Sequence, residues 1–205
     1  MARNENLPFE RGKTFYQGGT IDTADLAGLN LEGKEYIVED IHPTTGAIRT
    51  QQYVKLRIVR NVSGVALLPK HGVVFDTTNA GKYGGRVIGY SILTAGESHP
   101  VDEYLNATTG CPNNDLCYIV MEGPGVVLTT KDGDASNVIA LGGWVVAATA
   151  AASTHSTTAG RVEVQDLTGA TALLAEQVQN RIGRALSAKT TANTNADLLV
   201  LVGRW

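Results

Sequence analysis

Apolar and polar residues alternate with a period of two over residues 51–61, where Val54, Leu56 and Ile58 are separated by Lys55 and Arg57. That spacing puts the three apolar side chains on one face of a strand and predicts a half-buried position in a sheet. Shorter runs of the same kind predict strands at 36–39, 65–68, 73–76, 86–92, 118–122, 126–130, 144–149, 161–166, 181–186 and 198–202. The total is about a dozen short strands, with no internal repeat of fixed period. His42-Pro-Thr-Thr-Gly46 carries turn chemistry and predicts a hairpin turn ahead of residues 51–61. Gly123-Pro-Gly125 predicts a second tight turn, because proline fixes φ and the glycines admit left-handed geometry, so that residues 115–129 read as a hairpin. One short helix is predicted over 98–105, with Ser98 as its cap, Pro100 in its first turn and Asp102 and Glu103 at its positive end. Residues 173–179 suit one or two further helical turns.

Residues 1–33 lack this periodicity and read as an extended N-terminal arm. Its apolar groups, Leu7, Phe9, Phe15 and Tyr16, cannot make a core of their own, so the arm is either disordered or laid along a neighbour. Residues 34–205 then form the β-rich body. The polar, low-complexity run 150–160 reads as an exposed loop or a tether that divides the body in two.

Composition supports the same class. With 23 glycines, abundant threonine, alanine and valine, and only 18% charged residues, the chain suits an all-β fold, a compact β-barrel or β-sandwich of short strands joined by turns. At 205 residues it is long enough to bury a core of useful size. A net charge of −3 supplies no basic field toward nucleic acid or an anionic membrane, and neither is expected as a partner. Few charges beside 43% hydrophobic residues leave neutral side chains to cover much of the exterior, as on surfaces that meet other subunits. No apolar run reaches the length of a spanning helix, and the first residues lack a secretory pattern, so the expectation is a soluble chain made in a cytoplasm.

Candidate chemistry is sparse. There is no Gly-x-Ser-x-Gly elbow, and Ser91 is trailed by Ile92 and Leu93 as in an ordinary strand. Cys117 leads into the apolar Tyr118-Ile-Val, where a small buried side chain explains it better than a nucleophile does. His42, His71, His99 and His155 never fall at ligand spacing, and Asp132-Gly-Asp134 lacks the remaining ligands of a calcium loop. Gly81-Lys-Tyr-Gly-Gly85 lacks the order of a phosphate-binding loop. Tyr53 with Lys55, Arg57 and Arg60 interleaves an aromatic with cations, but reads better as a solvated strand face than as a stacking platform for single strands. No catalytic, cofactor or metal residue is therefore expected. Cys111 and Cys117 are close enough in sequence for a disulfide that would add about 2 kcal/mol, although a reducing cytoplasm favours two free thiols.

The end of the chain is more specific. Arg181-Ile-Gly-Arg-Ala-Leu-Ser, a polar loop, and Asp197-Leu-Leu-Val-Leu-Val resemble the C-terminal signature of phage capsid cement, or head decoration, proteins, in which an "I-G-x-A-L" strand and a polar loop precede a closing "D-x-V-x-V" strand. The segment from Asp115 through Gly123-Pro-Gly125 to Thr129 is similar to that family's central "V-x-x-x-G-x-V-x-V" element. The resemblance implies a structural virion protein on the capsid surface, with no enzymatic activity. It also implies the major capsid protein as partner and self-association as a homotrimer. On that reading the arm makes the capsid contacts, with Phe9, Phe15 and Tyr16 as anchors and Arg3 and Arg11 as charged partners, since aromatics and arginine dominate interface energetics. Another virion station, in the tail, at head completion or as a receptor-binding protein, fits the same composition. A β-fold enzyme is the less favoured reading.

Overall fold

The computed structural model describes residues 7–16, 31–78, 84–91, 98–129, 138–148, 160–165, 181–191 and 195–203. These residues are all-β, with no helix among them. Eleven strands join in one hydrogen-bonded sheet. They are β1 (Phe15–Tyr16), β2 (Glu35–Ile41), β3 (Ile48–Asn61), β4 (Gly72–Phe75), β5 (Arg86–Tyr90), β6 (His99–Pro100), β7 (Asp115–Leu128), β8 (Trp144–Ala147), β9 (Val162–Val164), β10 (Arg181–Ala185) and β11 (Asp197–Val202). The order is β6-β4-β5-β3-β7-β11-β10-β8-β9, with β2 added to β3 and β1 to the start of β7.

The long strand β7 organises everything else. Its first half, through Glu122, runs antiparallel to β3, and its second half, from Gly123 to Leu128, runs antiparallel to β11. Each wing of the sheet then curls back toward β7. Val101, just past β6, bridges Ile119 of β7, and Val162 of β9 bridges Thr129 at its end.

Two cores follow from the strand period. On β3 and β7 the even positions Val54, Leu56, Ile58, Leu116, Tyr118 and Val120 face the larger core, which β8, β10 and β11 close with Val145, Ile182, Leu198 and Val200. The odd positions Val59, Cys117 and Ile119 face the smaller core, with Val73, Phe75 and Val87 from β4 and β5. The β3–β7 pair is thus buried on both faces, which is why Asp115 to Val120 form an unbroken buried run rather than an alternating one. Of the odd side chains of β3 before Val59, Arg57 lies over the Phe75 ring at the margin of the smaller core, and Tyr53 is exposed.

Three expectations are corrected. Gly123-Pro-Gly125 does not reverse the chain: β7 continues through it as one strand. Gly123, at φ 94°, bends the strand out of its pairing with β3, and a Cβ there would sit 2.3 Å from the Tyr53 carbonyl oxygen, so the position demands glycine for both backbone angle and space. Pro124 follows the last pair with β3, Lys55 with Glu122, so its missing N–H costs that ladder nothing. The short helix over 98–105 is also absent. Its backbone donors serve neighbours instead, Val101 N–H to the His71 carbonyl and Asp102 N–H to the Tyr118 carbonyl, and only a turn from Asp102 to Leu105 remains. Residues 65–68 form a single bridge, Leu67 with Cys111, rather than a strand. The turn at His42 stands as expected: Gly46 N–H donates to the His42 carbonyl, and His42 Nδ1 accepts from the amides of Thr44 and Thr45. Residues 173–179 and the run 150–159 lie outside the described residues.

Gly123→Ala is expected to cost about 2–4 kcal/mol in urea unfolding, because left-handed strain and a backbone clash coincide. Gly46→Ala, at φ 68° with nothing within 4 Å of the added Cβ, should cost only about 1 kcal/mol. Equal losses at the two positions would show that the bend in β7 is not sterically fixed.

Candidate interaction surface

The arm is the element for which the sequence holds the most candidate contacts, and residues 7–16 of it lie against their own chain. Phe9 stacks on Tyr118 of β7 at 4.4 Å between ring centres and on Phe15 at 5.9 Å. The Tyr118 hydroxyl donates to the Phe9 carbonyl at 2.8 Å, and burial pushes the Tyr118 phenol well above its ordinary pKa. β1 then pairs Phe15 with Leu116 and Tyr16 with Asp115. Leu7 and Phe9 pack against the larger core.

Arg11 is buried, at 2% exposure. Its Nη2 and Nε donate to Asp102 Oδ1 at 2.7 and 3.2 Å, Gly12 N–H donates to Asp102 Oδ2 at 3.0 Å, and the guanidinium lies over the Tyr104 ring. Burial works against the charged guanidinium, but the charge and hydrogen bonds of Asp102 outweigh it and raise the Arg11 pKa. The chain turns tightly here: a Cβ on Gly12, at φ 79°, would stand 2.6 Å from the Tyr104 carbonyl oxygen.

The next residue after Asp102 extends the network to the β2–β3 hairpin. Arg49 binds Glu103 at 2.6 Å and Asp40 at 2.7 Å, and Thr50 donates to Asp40 at 2.8 Å. Burial lowers the Arg49 pKa in part, but hydrogen bonds to Asp40 and the charge of Glu103 raise it on balance. Asp102 and Glu103, read from sequence as the front of a helix, are instead the acceptors that dock the arm and the hairpin. Their spacing from Arg11 and Arg49 left no local signal to find them by.

Of the candidate contacts, then, Phe9 and Arg11 are built into the protein, and Phe15 retains 42% exposure. Tyr16 is placed by its backbone in β1, and Arg3 lies outside the described residues. Cys111 and Cys117 are free thiols, both fully buried in the smaller core. A hydrogen bond with Cys111, reinforced by burial, pushes the Cys117 thiol well up, which holds it in the unreactive protonated form.

Other groups are likewise occupied. His42 holds its turn, His71 Nδ1 contacts the Pro69 carbonyl at 2.9 Å, and His99 packs on Phe75. Among the described residues no group of three His, Cys, Asp or Glu is placed to hold a metal ion, and no helix is long and apolar enough to cross a membrane. Lys55 and Arg57 beside Tyr53 are both paired to Glu35, and Arg60 to Glu32. His155 and Asp132-Gly-Asp134 lie outside the described residues.

Tyr53, at 66% exposure, lies on a solvated strand face as expected; what the sequence did not flag are other exposed apolar groups, among them Ile37 at 72% and Ile48 at 69% on strands and, in the turn before β8, Leu141 at 71%. An isoleucine between Glu35 and Glu39 on β2 was the available signal. Comparison with family models, with curated proteins and with solved structures finds no match to this chain.

Asp102→Ala should destabilise the protein by about 3–5 kcal/mol, since it strands a buried guanidinium; a loss below about 1 kcal/mol in denaturant unfolding would place that pair among the weak surface bridges. The two thiols should be inert to a thiol-modifying disulfide reagent in the native state and should both react on denaturation, whereas rapid native labelling would contradict their burial.

Proposed function

We propose that this protein is a structural virion component that binds the outside of an expanded icosahedral capsid and cements neighbouring major capsid subunits. The observation that carries the reading is the terminal strand pair. The segments that resemble the cement-protein signature are β10 and β11, antiparallel neighbours joined through a polar loop, with β11 laid against β7. The strand, loop and strand order that the resemblance implies is therefore the order in which the chain folds, while the central element is a bent strand rather than a hairpin.

Cement action needs a rigid body whose surface matches a junction present only in the expanded lattice. Binding free energy then favours that lattice over its disrupted forms by mass action, so a small binder resists heat and internal pressure. The arm suits the contact role in a revised way. Phe9 and Arg11 fix it to the body, and among the arm's described side chains Phe15 is the aromatic left to face a partner. Fixing the arm in advance also removes part of the ordering entropy that a free arm would lose on binding.

The test is quantitative mass spectrometry of purified virions, comparing copies of this chain with copies of the major shell subunit. Near-equal numbers are expected; a handful of copies would move the protein to a portal or tail station, and absence would overturn the virion reading. On the shell, Phe15→Ala is expected to weaken binding about tenfold with little loss of stability, whereas Phe9→Ala should cost about 3 kcal/mol of folding stability.

A further inference from the structure

Arginines in the described residues divide into two groups. Arg11, Arg49, Arg57, Arg60 and Arg86 each hold a carboxylate. Arg161 donates to Asn195, and Arg181 and Arg184 have no carboxylate partner among the described residues. Arg184 pairs directly with Trp144 across β10 and β8, and a bulge between Arg181 and Gly183 returns Arg181 to the same face. Both guanidinium groups consequently stand 4.4 Å from the Trp144 ring centre. Leu141 is exposed in the turn just before, which Gly142 N–H ties to the Ala185 carbonyl of β10. Trp144 is out of phase with Val145, which enters the larger core, so this cationic, aromatic patch lies on the other face of β8 and β10 from that core; Val146 on the same face is fully buried, Trp144 and Arg181 are partly exposed and Arg184 is exposed.

A second patch has the opposite sign. Register places Glu39 opposite Tyr53, Ile37 opposite Lys55, and Lys55 opposite Glu122, so Ile37, Glu39, Tyr53 and Glu122 share one face. Glu39 and Glu122 are exposed and have no cationic partner among the described residues, while Lys55 is taken by Glu35. The neighbouring Val38 and Val54 point the other way, into the larger core.

The two patches therefore both face away from the larger core. Pairing either patch with its own copy would set like charges against each other, which disfavours it. Pairing one with the other matches two carboxylates to two guanidinium groups, and sets Ile37 and Tyr53 against Trp144 and Leu141. We propose that a second copy of this chain binds head to tail, with the Ile37, Glu39, Tyr53 and Glu122 face of one protomer on the Trp144, Arg181 and Arg184 face of the next. Such an interface is heterologous, so each copy can hold two neighbours, and the assembly closes into a ring or continues as an open chain.

The experiment uses the purified chain alone, so its outcome is independent of whether the protein sits on a capsid. In sedimentation velocity the wild type is expected to associate with rising concentration, and less so at high salt. Arg184→Glu and Glu39→Arg, both at exposed positions, should each weaken association about tenfold or more while leaving the circular dichroism spectrum unchanged. The discriminating sample is a mixture of the two single variants. Each retains one intact face and carries a reversed charge on the other, and both kinds of face are complementary between the two variants, so mixing should restore the association that neither variant shows alone. The double variant carrying both changes should recover association. A wild type that stays monomeric into the hundreds of micromolar, or single variants that associate as the wild type does, would overturn the proposal.

Discussion

The pairing of β3 with the first half of β7 is the contact on which the rest of the structure depends, because it is apolar on both faces. Its even side chains close the larger core and its odd side chains close the smaller one, so neither core exists without this ladder. Burial on both sides also restricts what can lie along it. Polar groups that enter the interior there carry partners: Asn61 donates to two carbonyls, and Arg60 is held by Glu32 and by the Asn114 carbonyl. Glu32 reaches Arg86 as well, which sets one carboxylate between two arginines placed directly opposite each other on β3 and β5 and offsets part of their repulsion.

From this ladder the wings acquire their positions. The bend at Gly123 lets β7 leave β3 and take β11 as its partner, so one strand serves both halves of the sheet and closes the larger core against the smaller. The ionic network of Asp40, Arg49, Asp102, Glu103 and Arg11 sits at the edge of the same strand and fastens the arm and the β2–β3 hairpin to it. A body fastened in this way is stiff along β7.

Fold class was legible from the sequence, as were the clearest strands, because period-two alternation is a local property. β3 announced itself through Val54, Leu56 and Ile58, and β10 and β11 through their flanking polar loop. Features that depend on distant partners were not legible. Gly123-Pro-Gly125 has the local chemistry of a turn, and only the approach of the Tyr53 carbonyl from another strand makes it a bend. Ser98 to Leu105 has the local chemistry of a helix start, but His71 and Tyr118 claim its backbone donors and Arg11 claims the carboxylate of Asp102. The arm's aromatics were read as anchors toward a capsid, yet Phe9 meets its own chain, a contact decided by Tyr118 far along the sequence. The patch around Trp144 needed the bulge in β10 to bring Arg181 and Arg184 together, and a bulge has no dependable sequence signal.

The central claim is that one strand makes the two cores a single cooperative unit. Native-state hydrogen exchange tests it directly, by comparing amides of β3 and the first half of β7 with those of β4 in the smaller core and β11 in the larger. The account predicts that the slowest amides of all four exchange through one global opening with the same free energy. Two distinct openings, with β4 released while β11 remains protected at full stability, would contradict it.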